Sequence, residues 1–288
     1  MNKINGIIAI LAFVLIASSC NNTKKENAET NELTNKEKVK ELLLIFNNGN
    51  QDPLKYINPN KYIQHNLGAT NGVEGLKNLV AFLSPSQPSV NTVRMISDGD
   101  YVVAQTEYGY ETPMVGFDIF RFEDGLIVEH WDNLQAIPEK NPSGHTLIDG
   151  ETNIKETDAA GLEANKAVAK GFVTDVLMGE NPANLENYFE GNNYIQHHPL
   201  IGDGLDGLKA GLKKMTEMGL TFKYTKIHKI LGEGNLVLVV SEGKMAGKPT
   251  SFYDMFRIEN GKIAEHWDIV ETIPPVEEHK NTNGKFGF

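Results

Sequence analysis

The chain has one cysteine, Cys20, so no disulfide can form within it and the fold must be held by packing alone. Basic residues are scarce relative to acidic ones: 27 Lys and Arg stand against 38 Asp and Glu, a formal charge of −11. No stripe of Lys and Arg offsets that balance, which excludes a phosphate-binding surface, and no nucleic-acid partner is expected. Long apolar runs are missing too. The run at 7–16 is too short for a comfortable membrane span. A Gly-x-Ser-x-Gly elbow, a phosphate loop and a Gly-x-Gly-x-x-Gly fingerprint are all lacking, which leaves no signature of a nucleotide cofactor. No His-x-His, His-x-x-x-His or Cys pair has ligand spacing, so neither metal nor cofactor is expected.

The first residues form a separate object. Lys3 precedes the apolar run, which closes in Ala17-Ser18-Ser19-Cys20, the layout of a signal peptide over 1–19 with small residues at its cut site. A lone Cys directly after such residues resembles a bacterial lipobox, which implies acylation of Cys20 and a membrane-anchored lipoprotein of the bacterial cell envelope. Ordinary cleavage leaving a free thiol is the alternative. Residues 20–35 are polar, carry Lys24, Lys25 and several Glu, and read as a flexible tether.

Beyond the tether the chain says nearly the same thing twice. Tyr62-Ile63-Gln64-His65 returns as Tyr194-Ile195-Gln196-His197, and Glu129-His130-Trp131-Asp132 returns as Glu265-His266-Trp267-Asp268. Between them Gly72-x-x-Gly75-Leu76-Lys77 matches Gly204-x-x-Gly207-Leu208-Lys209. Phe117-Asp118-x-Phe120-Arg121 likewise matches Tyr253-Asp254-x-Phe256-Arg257. The period far exceeds the roughly 20–50 residues of solenoid repeats, so each copy is expected to own a core. The boundaries are 36–148 for the first domain, 149–160 for a linker and 161–288 for the second. Even the tails repeat: Lys140-Asn141-x-x-Gly144 follows copy one as Lys280-Asn281-x-x-Gly284 follows copy two, and each is expected to pack on its own domain.

Within each copy the period of the apolar positions changes midway. Thr34-x-x-Glu37 is a capping box before Val39, Leu42, Leu43 and Phe46, a helical stripe, and a second helix begins near Gly72 with Leu76, Leu79, Val80 and Leu83 on one side. After it the alternation is that of strands, with hairpin signals at Asp98-Gly99 and Asp124-Gly125, and at Gly234-Asn235 and Asn260-Gly261 in copy two. Helices followed by a meander of about four antiparallel strands make an α+β domain.

The chemistry falls on the repeated polar residues. Pairing about a two-residue Asp124-Gly125 turn sets Asp118 opposite Trp131 and Phe120 opposite Glu129. Asp118, Phe120, Phe122, Ile127 and Trp131 then share one face, and His130 and Asp132 the other. A bulge near the Trp would bring Asp132 inward. Asp118 among apolar neighbours suits a general base, its carboxyl raised by desolvation. Plainer readings stand beside these: the His of Tyr-Ile-Gln-His satisfying backbone groups, the two tryptophans as core, His130 and Asp132 as a surface ion pair, and Arg121 and Arg257 pairing with acids on a neighbouring strand.

The stretch Phe117-Asp118-Ile119-Phe120-Arg121-Phe122-Glu123-Asp124-Gly125-Leu126-Ile127-Val128-Glu129-His130-Trp131-Asp132, with Tyr-Ile-Gln-His and Gly-x-x-Gly-Leu, resembles the SnoaL-like proteins, polyketide cyclase-like members of the nuclear-transport-factor-2-like superfamily. The resemblance implies two tandem cones, each with helices inside a curved antiparallel sheet around a pocket. It also implies cofactor-independent lyase, isomerase or cyclase chemistry of the aldol-condensation type on a small apolar or carbonyl-containing ligand. Carried over, Asp118 or Asp132 is the base and His65 or His130 the donor, with Asp254, Asp268, His197 and His266 in copy two. Trp131, Trp267, Tyr62, Tyr194, Phe120 and Phe256 are the ligand-binding candidates. The halves are expected to form an internal pseudo-dimer through their sheets. A non-catalytic ligand-binding lipoprotein of the same fold is the competing reading. The copies depart from the motif differently, as His65-Asn66-Leu67 and as His197-His198-Pro199, and Gln135 becomes Glu271.

Overall fold

The computed structural model describes residues 32–138 and 141–288. The signal segment, Cys20, tether residues up to 31 and Lys140 lie outside the described residues. No helix among the described residues is long and apolar enough to cross a membrane.

The first half opens with α1 (Asn35–Leu43), capped as expected: the Thr34 hydroxyl accepts from the Glu37 amide, and the Glu37 carboxylate accepts from the Thr34 amide at 2.7 Å. A short α2 (Ile45–Asn48) stops at Gly49, whose φ of 66° is left-handed. There follow β1 (Ile63–Gln64), α3 (Gly72–Leu83) and the meander β2 (Ser89–Asp98), β3 (Tyr101–Gly109), β4 (Met114–Glu123) and β5 (Leu126–Ala136). The second half repeats the order: α4 (Ala159–Phe172), β6 (Ile195–Gln196), α5 (Gly204–Glu217), β7 (Phe222–Glu233), β8 (Leu236–Met245), β9 (Lys248–Glu259) and β10 (Lys262–Thr272). Each half is thus an α+β cone with a five-stranded sheet, ordered β1-β5-β4-β3-β2 in one and β6-β10-β9-β8-β7 in the other.

The fifth strand is the Tyr-Ile-Gln-His segment. It pairs in parallel with the last strand of its own half, Gln64 beside His130 and Gln196 beside His266, so the two repeated motifs are neighbours in space.

Three apolar clusters hold these layers. Val39, Leu42 and Val80 of the helices pack on Val102, Phe120 and Ile127 inside the first cone, and Phe172, Leu208 and Met215 do the same with Val239 and Phe256 inside the second. The third cluster is shared between the halves. Ile119, Trp131 and Val103 on the back of one sheet meet Met255, Trp267 and Leu238 on the back of the other. Each sheet is therefore buried on both faces, which accounts for the density of large apolar residues along β4 and β9.

The tails pack on their own halves, Gln105 donating to Leu147 O at 3.0 Å and Phe286 stacking on His228 at 4.3 Å, and each also crosses to the Tyr-Ile-Gln-His loop of the other half. From the C-terminal tail the Asn281 side-chain amide donates to the carbonyls of Asn66 and Ala69 at 2.7 and 2.9 Å. That of Asn283 donates to Gln64 O, the Lys280 amide donates to Leu67 O, and Phe288 stacks on Trp131 at 4.5 Å. Reciprocally, the Asn141 side chain donates to His197 O, and Trp267 Nε1 donates to Asp149 O. The segment at 149–151, expected to be linker, is likewise tied down. Arg94, 2% exposed, donates to the carbonyls of Ile148, Asp149 and Glu151 and lies over the Trp267 ring at 4.2 Å.

Asn281→Ala removes the amide that donates to the Asn66 and Ala69 carbonyls and leaves the loop only its bonds to Asn283 and the Lys280 amide. A stability loss of about 1–3 kcal/mol in urea denaturation is expected, and a loss indistinguishable from zero would contradict the crossed docking.

Candidate functional site

A bulge in the last strand decides which side chains meet. Glu123 pairs with Leu126 and Phe122 with Ile127, but Arg121 then pairs with Glu129, so Val128 is an extra residue and everything beyond it moves by one. Asp118 consequently faces Asp132 and Phe120 faces His130, while Trp131 lies opposite Ile119. Because side chains alternate along a strand, this puts Asp118, Phe120, His130 and Asp132 on the cone side and Trp131 on the shared-core side. The unbulged register, with Trp131 beside Asp118, is corrected accordingly. The second half carries the same device at Ala264, between the Ile263 and Glu265 pairs, so Asp254 faces Asp268.

The first cone encloses a cavity of about 150 Å³ lined by Leu42, Phe46, Leu76 and Leu83 on the helical side and by Tyr62, Asp118, Phe120, His130 and Asp132 on the sheet side. Its polar wall is one connected network. Gln64 Oε1 accepts from the Asn66 amide at 2.8 Å, which aims that oxygen at His130 Nδ1, 2.9 Å away. Nδ1 therefore carries a proton and donates. His130 Nε2 lies 3.2 Å from Asp118 Oδ1, within reach for a proton to pass between them. The Tyr108 hydroxyl donates to Asp118 Oδ2 at 2.6 Å, and the Asn66 side chain donates to Asp132 Oδ2 at 2.6 Å. Burial raises the Asp118 carboxyl, and the nearby Asp132 adds to this against the lowering effect of its bonds to His130 and Tyr108. An acid so raised, hydrogen-bonded to an imidazole, is placed to take and return a proton.

His65 and Trp131 are elsewhere. Along β1 and its flanking residues, Tyr62 and Gln64 face the cavity while His65 turns to the other side and stacks on Trp131 at 4.8 Å. There His65 Nδ1 meets Gly284 O at 2.6 Å and Nε2 meets Glu129 Oε1 at 3.0 Å, and Arg121 Nε donates to Glu129 Oε2. Burial works against the Glu129 charge, yet His65 and Arg121 hold its carboxyl below the usual range. His197, Trp267, Glu265 and Arg257 repeat the arrangement, with His197 stacked on Trp267 at 4.8 Å. Both histidines and both tryptophans are thus structural in placement, because odd-numbered alternation carries them to the back of the sheet. The arginines pair with acids on the neighbouring strand, as read.

The second cavity is smaller, about 40 Å³, and is lined by Tyr194, Gln196, His198, Tyr224, Phe252, Asp254, His266 and Asp268 among others. Phe252 stands where the first half has Gly116, at the 136-residue offset of Asp254 from Asp118, and its ring stacks on Tyr224 at 4.0 Å. His198 replaces Asn66 and holds Asp268 only at 3.7 Å. Phe256 is taken up in the core, stacked on His266 at 4.7 Å and edge-on to Phe172. His266 Nε2 lies 3.1 Å from Asp254 Oδ1, which also accepts from the Tyr224 hydroxyl at 3.2 Å. Burial lifts Asp254 to about 7 and pushes His266 down to about 4, so their shared proton sits on the carboxyl up to neutral pH.

The two phenols come from different strands. Tyr108 pairs with Met114, whose counterpart Thr250 pairs with Gly243, so Gly243 occupies the place of Tyr108. Tyr224 on β7, directly opposite Gly243, supplies the hydroxyl instead. Sequence reasoning missed both tyrosines, as well as Gln64 and Gln196; strand alternation beside His65 was the signal available for the glutamines.

Asp118, His130 and Asp132 bring one ligand atom each to within 4.8 Å of one another, a spacing a metal could use. The donors are already engaged, however, by the Tyr108 hydroxyl, the Asn66 amide and the Lys285 ammonium, 3.7 Å from Asp132 Oδ1. A divalent ion would have to compete with all three.

Residues 39–130 match the SnoaL-like domain model. No protein of curated function matches the chain. Among solved structures, TsrD from Streptomyces laurentii is 23% identical over 36% of this chain and 92% of its own, with a TM-score of 0.31. An NTF2-like protein from Cytophaga hutchinsonii is 21% identical over 42% of this chain and 95% of its own, TM-score 0.30. A cystatin-like-fold protein from Xanthomonas campestris is 25% identical over 37% and 89%, TM-score 0.32.

A carboxyl raised from 3.8 to about 7 binds its proton more tightly in the folded chain, so the stability it contributes is complete below pH 3.8 and is lost as pH rises through 7. Asp254→Asn, which mimics the protonated acid, is expected to match the parent near pH 4 and to exceed it at pH 8 by roughly 2–4 kcal/mol. Urea midpoints at the two pH values measure this, and equal stability at pH 8 would refute it.

Proposed function

We propose, for a chain whose first half is a SnoaL-like domain, that the first cavity is a small-molecule acid–base site and that the second half supports it. The observation that carries the reading is the buried Tyr108–Asp118–His130–Gln64 chain opening on an apolar cavity. A ligand with a carbonyl oxygen would bury its hydrocarbon against Leu42, Leu76 and Leu83 and present its α-carbon to Asp118. Asp118 or His130 removes the proton, Tyr108 and the protonated partner stabilise the enolate oxygen, and the proton returns at another carbon or the enolate attacks a second carbonyl. These are isomerase, lyase and cyclase outcomes of one step, and none needs a cofactor.

A cavity of about 150 Å³ accepts a molecule about the size of benzene. Phe252 and His198 narrow the second cavity below that. The two cones, joined by a shared apolar layer and exchanged tails, stand to one another as the subunits of a dimer would. Cys20, alone after a signal-like run and small residues, is the proposed site of acylation that tethers the chain to a bacterial membrane. One observation favours the second reading, binding without turnover. Both Asp118 oxygens are already engaged by protein groups, which suits holding a ligand as much as transforming it.

Exchange of α-protons for deuterium in a panel of single-ring ketones tests the chemistry without knowledge of the substrate. The parent protein should accelerate exchange for some members, and Asp118→Asn should reduce it by roughly 10²–10⁴-fold while leaving binding intact. Binding without exchange across the panel would leave the non-catalytic reading standing. Separately, Cys20→Ser should move the protein from the membrane to the soluble fraction of a bacterial host, and unchanged fractionation would remove the anchor.

A further inference from the structure

Asp132 looks into the first cavity through one engaged oxygen. Its Oδ2 accepts from Asn66, while Oδ1 is buried with no hydrogen bond. The nearest positive charge to that bare oxygen is Lys285, 3.7 Å away and 5% exposed. The same ammonium lies 3.0 Å from Glu271 Oε1, and the other oxygen of Glu271 accepts from the Leu134 amide on β5 at 2.9 Å. A buried ammonium persists only among counter-charges, and here two carboxylates provide them, one from each half of the molecule.

Among the described residues the set occurs once. Aligning Asn141 with Asn281 and Gly144 with Gly284 places His145 at the position of Lys285, and His145 turns outward to Asp203 and Asp149, at 3.2 and 3.6 Å. Gln135 stands at the position of Glu271, and its Oε1 accepts from the Val270 amide. Among the described residues no Lys or Arg reaches the second half's Asp268, whose Oδ1 is buried and unpartnered; its basic neighbour is His198, 3.7 Å from Oδ2, an imidazole that burial pushes towards the neutral form. The tail that carries Lys285 is also the tail that clamps Gln64 to Ala69 through Asn281 and Asn283, the segment bearing both Gln64 and Asn66.

We propose that Lys285 is a positioning residue for the first cavity, delivered across the molecule by the second half's tail, where it balances Asp132 and makes the site tolerant of an anionic oxygen on its ligand. This deepens the acid–base reading of that cavity and rests on it. With two carboxylates on one wall, a developing enolate meets repulsion unless a cation offsets one of them. The second cone lacks that cation, so the duplication has made one site and one support.

Two measurements on the full chain test this. The first needs no ligand: urea midpoints of Lys285→Met, Asp132→Asn and the double variant form a cycle. The expected result is a clear departure from additivity, and additive losses overturn the pairing whatever the cavity binds. The second uses 4-nitrophenol as the probe, because its neutral and ionised forms absorb differently and the ionised form resembles an enolate. In Lys285→Met the ionised-to-neutral ratio of the bound probe should fall by about fivefold or more, with affinity for the neutral form unchanged, and Lys285→Arg should restore the ratio. An unchanged ratio in the Met variant overturns the role of Lys285 alone. Failure of the parent protein to bind the probe overturns the reading of the cavity, and the proposal with it.

Discussion

One extra residue in the last strand of each sheet is the constraint from which the site follows. Val128 and Ala264 are unpaired, and each shifts the Glu-His-Trp-Asp motif by one position against its neighbour. Without the shift, the indole of Trp131 would project into the cone beside Asp118, and His130 with Asp132 would face the apolar layer between the sheets. Burying an imidazole and a carboxylate in that layer without partners would cost several kcal/mol. With the shift, the two tryptophans fill the layer between the sheets and the polar pair meets Asp118 in the cavity. The bulge sorts a mixed motif into a structural face and a chemical one.

Much of this was legible beforehand and the rest was hidden for definable reasons. Duplication, the α+β order, the capping box at Thr34 and the hairpins at Asp124-Gly125 and Asn260-Gly261 are local patterns, and local patterns determine local structure. The register was not legible, because Val128 looks like any strand valine and a bulge is chosen by the fit of both faces at once. Placing His65 in the pocket failed with it, since the side on which His65 lies follows from its pairing beside β5. The crossing of the tails was invisible for another reason: Asn141 and Asn281 donate to equivalent loops, and sequence alone does not say whose loop is nearer.

The tyrosines carry the strongest hint about what the site requires. Tyr108 and Tyr224 arise on different strands, yet each delivers a hydroxyl to the equivalent acid of its own half, Asp118 or Asp254. A packing role would be met by any large apolar side chain at either place. What both halves retain is a donor to a buried carboxyl beside an imidazole, which fixes where a proton can go. The histidine depends in turn on the glutamine of Tyr-Ile-Gln-His, whose orientation is set by the amide two residues on. Proton placement is therefore determined by backbone as much as by side chains, and a substitution in the loop at 64–66 acts on the acid without touching it.

The difference between the halves has the same physical root. A cavity large enough for a ligand removes packing contacts from its walls, and a buried acid facing that cavity needs compensation that apolar walls cannot give. The second half gives up most of that space to Phe252 and His198, while its Asp268 Oδ1 stays buried without a hydrogen bond. Freed from holding a cavity open, it can serve as a rigid platform: its sheet backs the first one through Trp267 and Met255, and its tail spans to the first half's loop. In a dimer of identical chains both subunits must carry the same compromise between openness and support. Within one duplicated chain each copy can settle it differently, and the positions where the copies disagree, Gly116 against Phe252, Asn66 against His198 and Gln135 against Glu271, lie on that line of division.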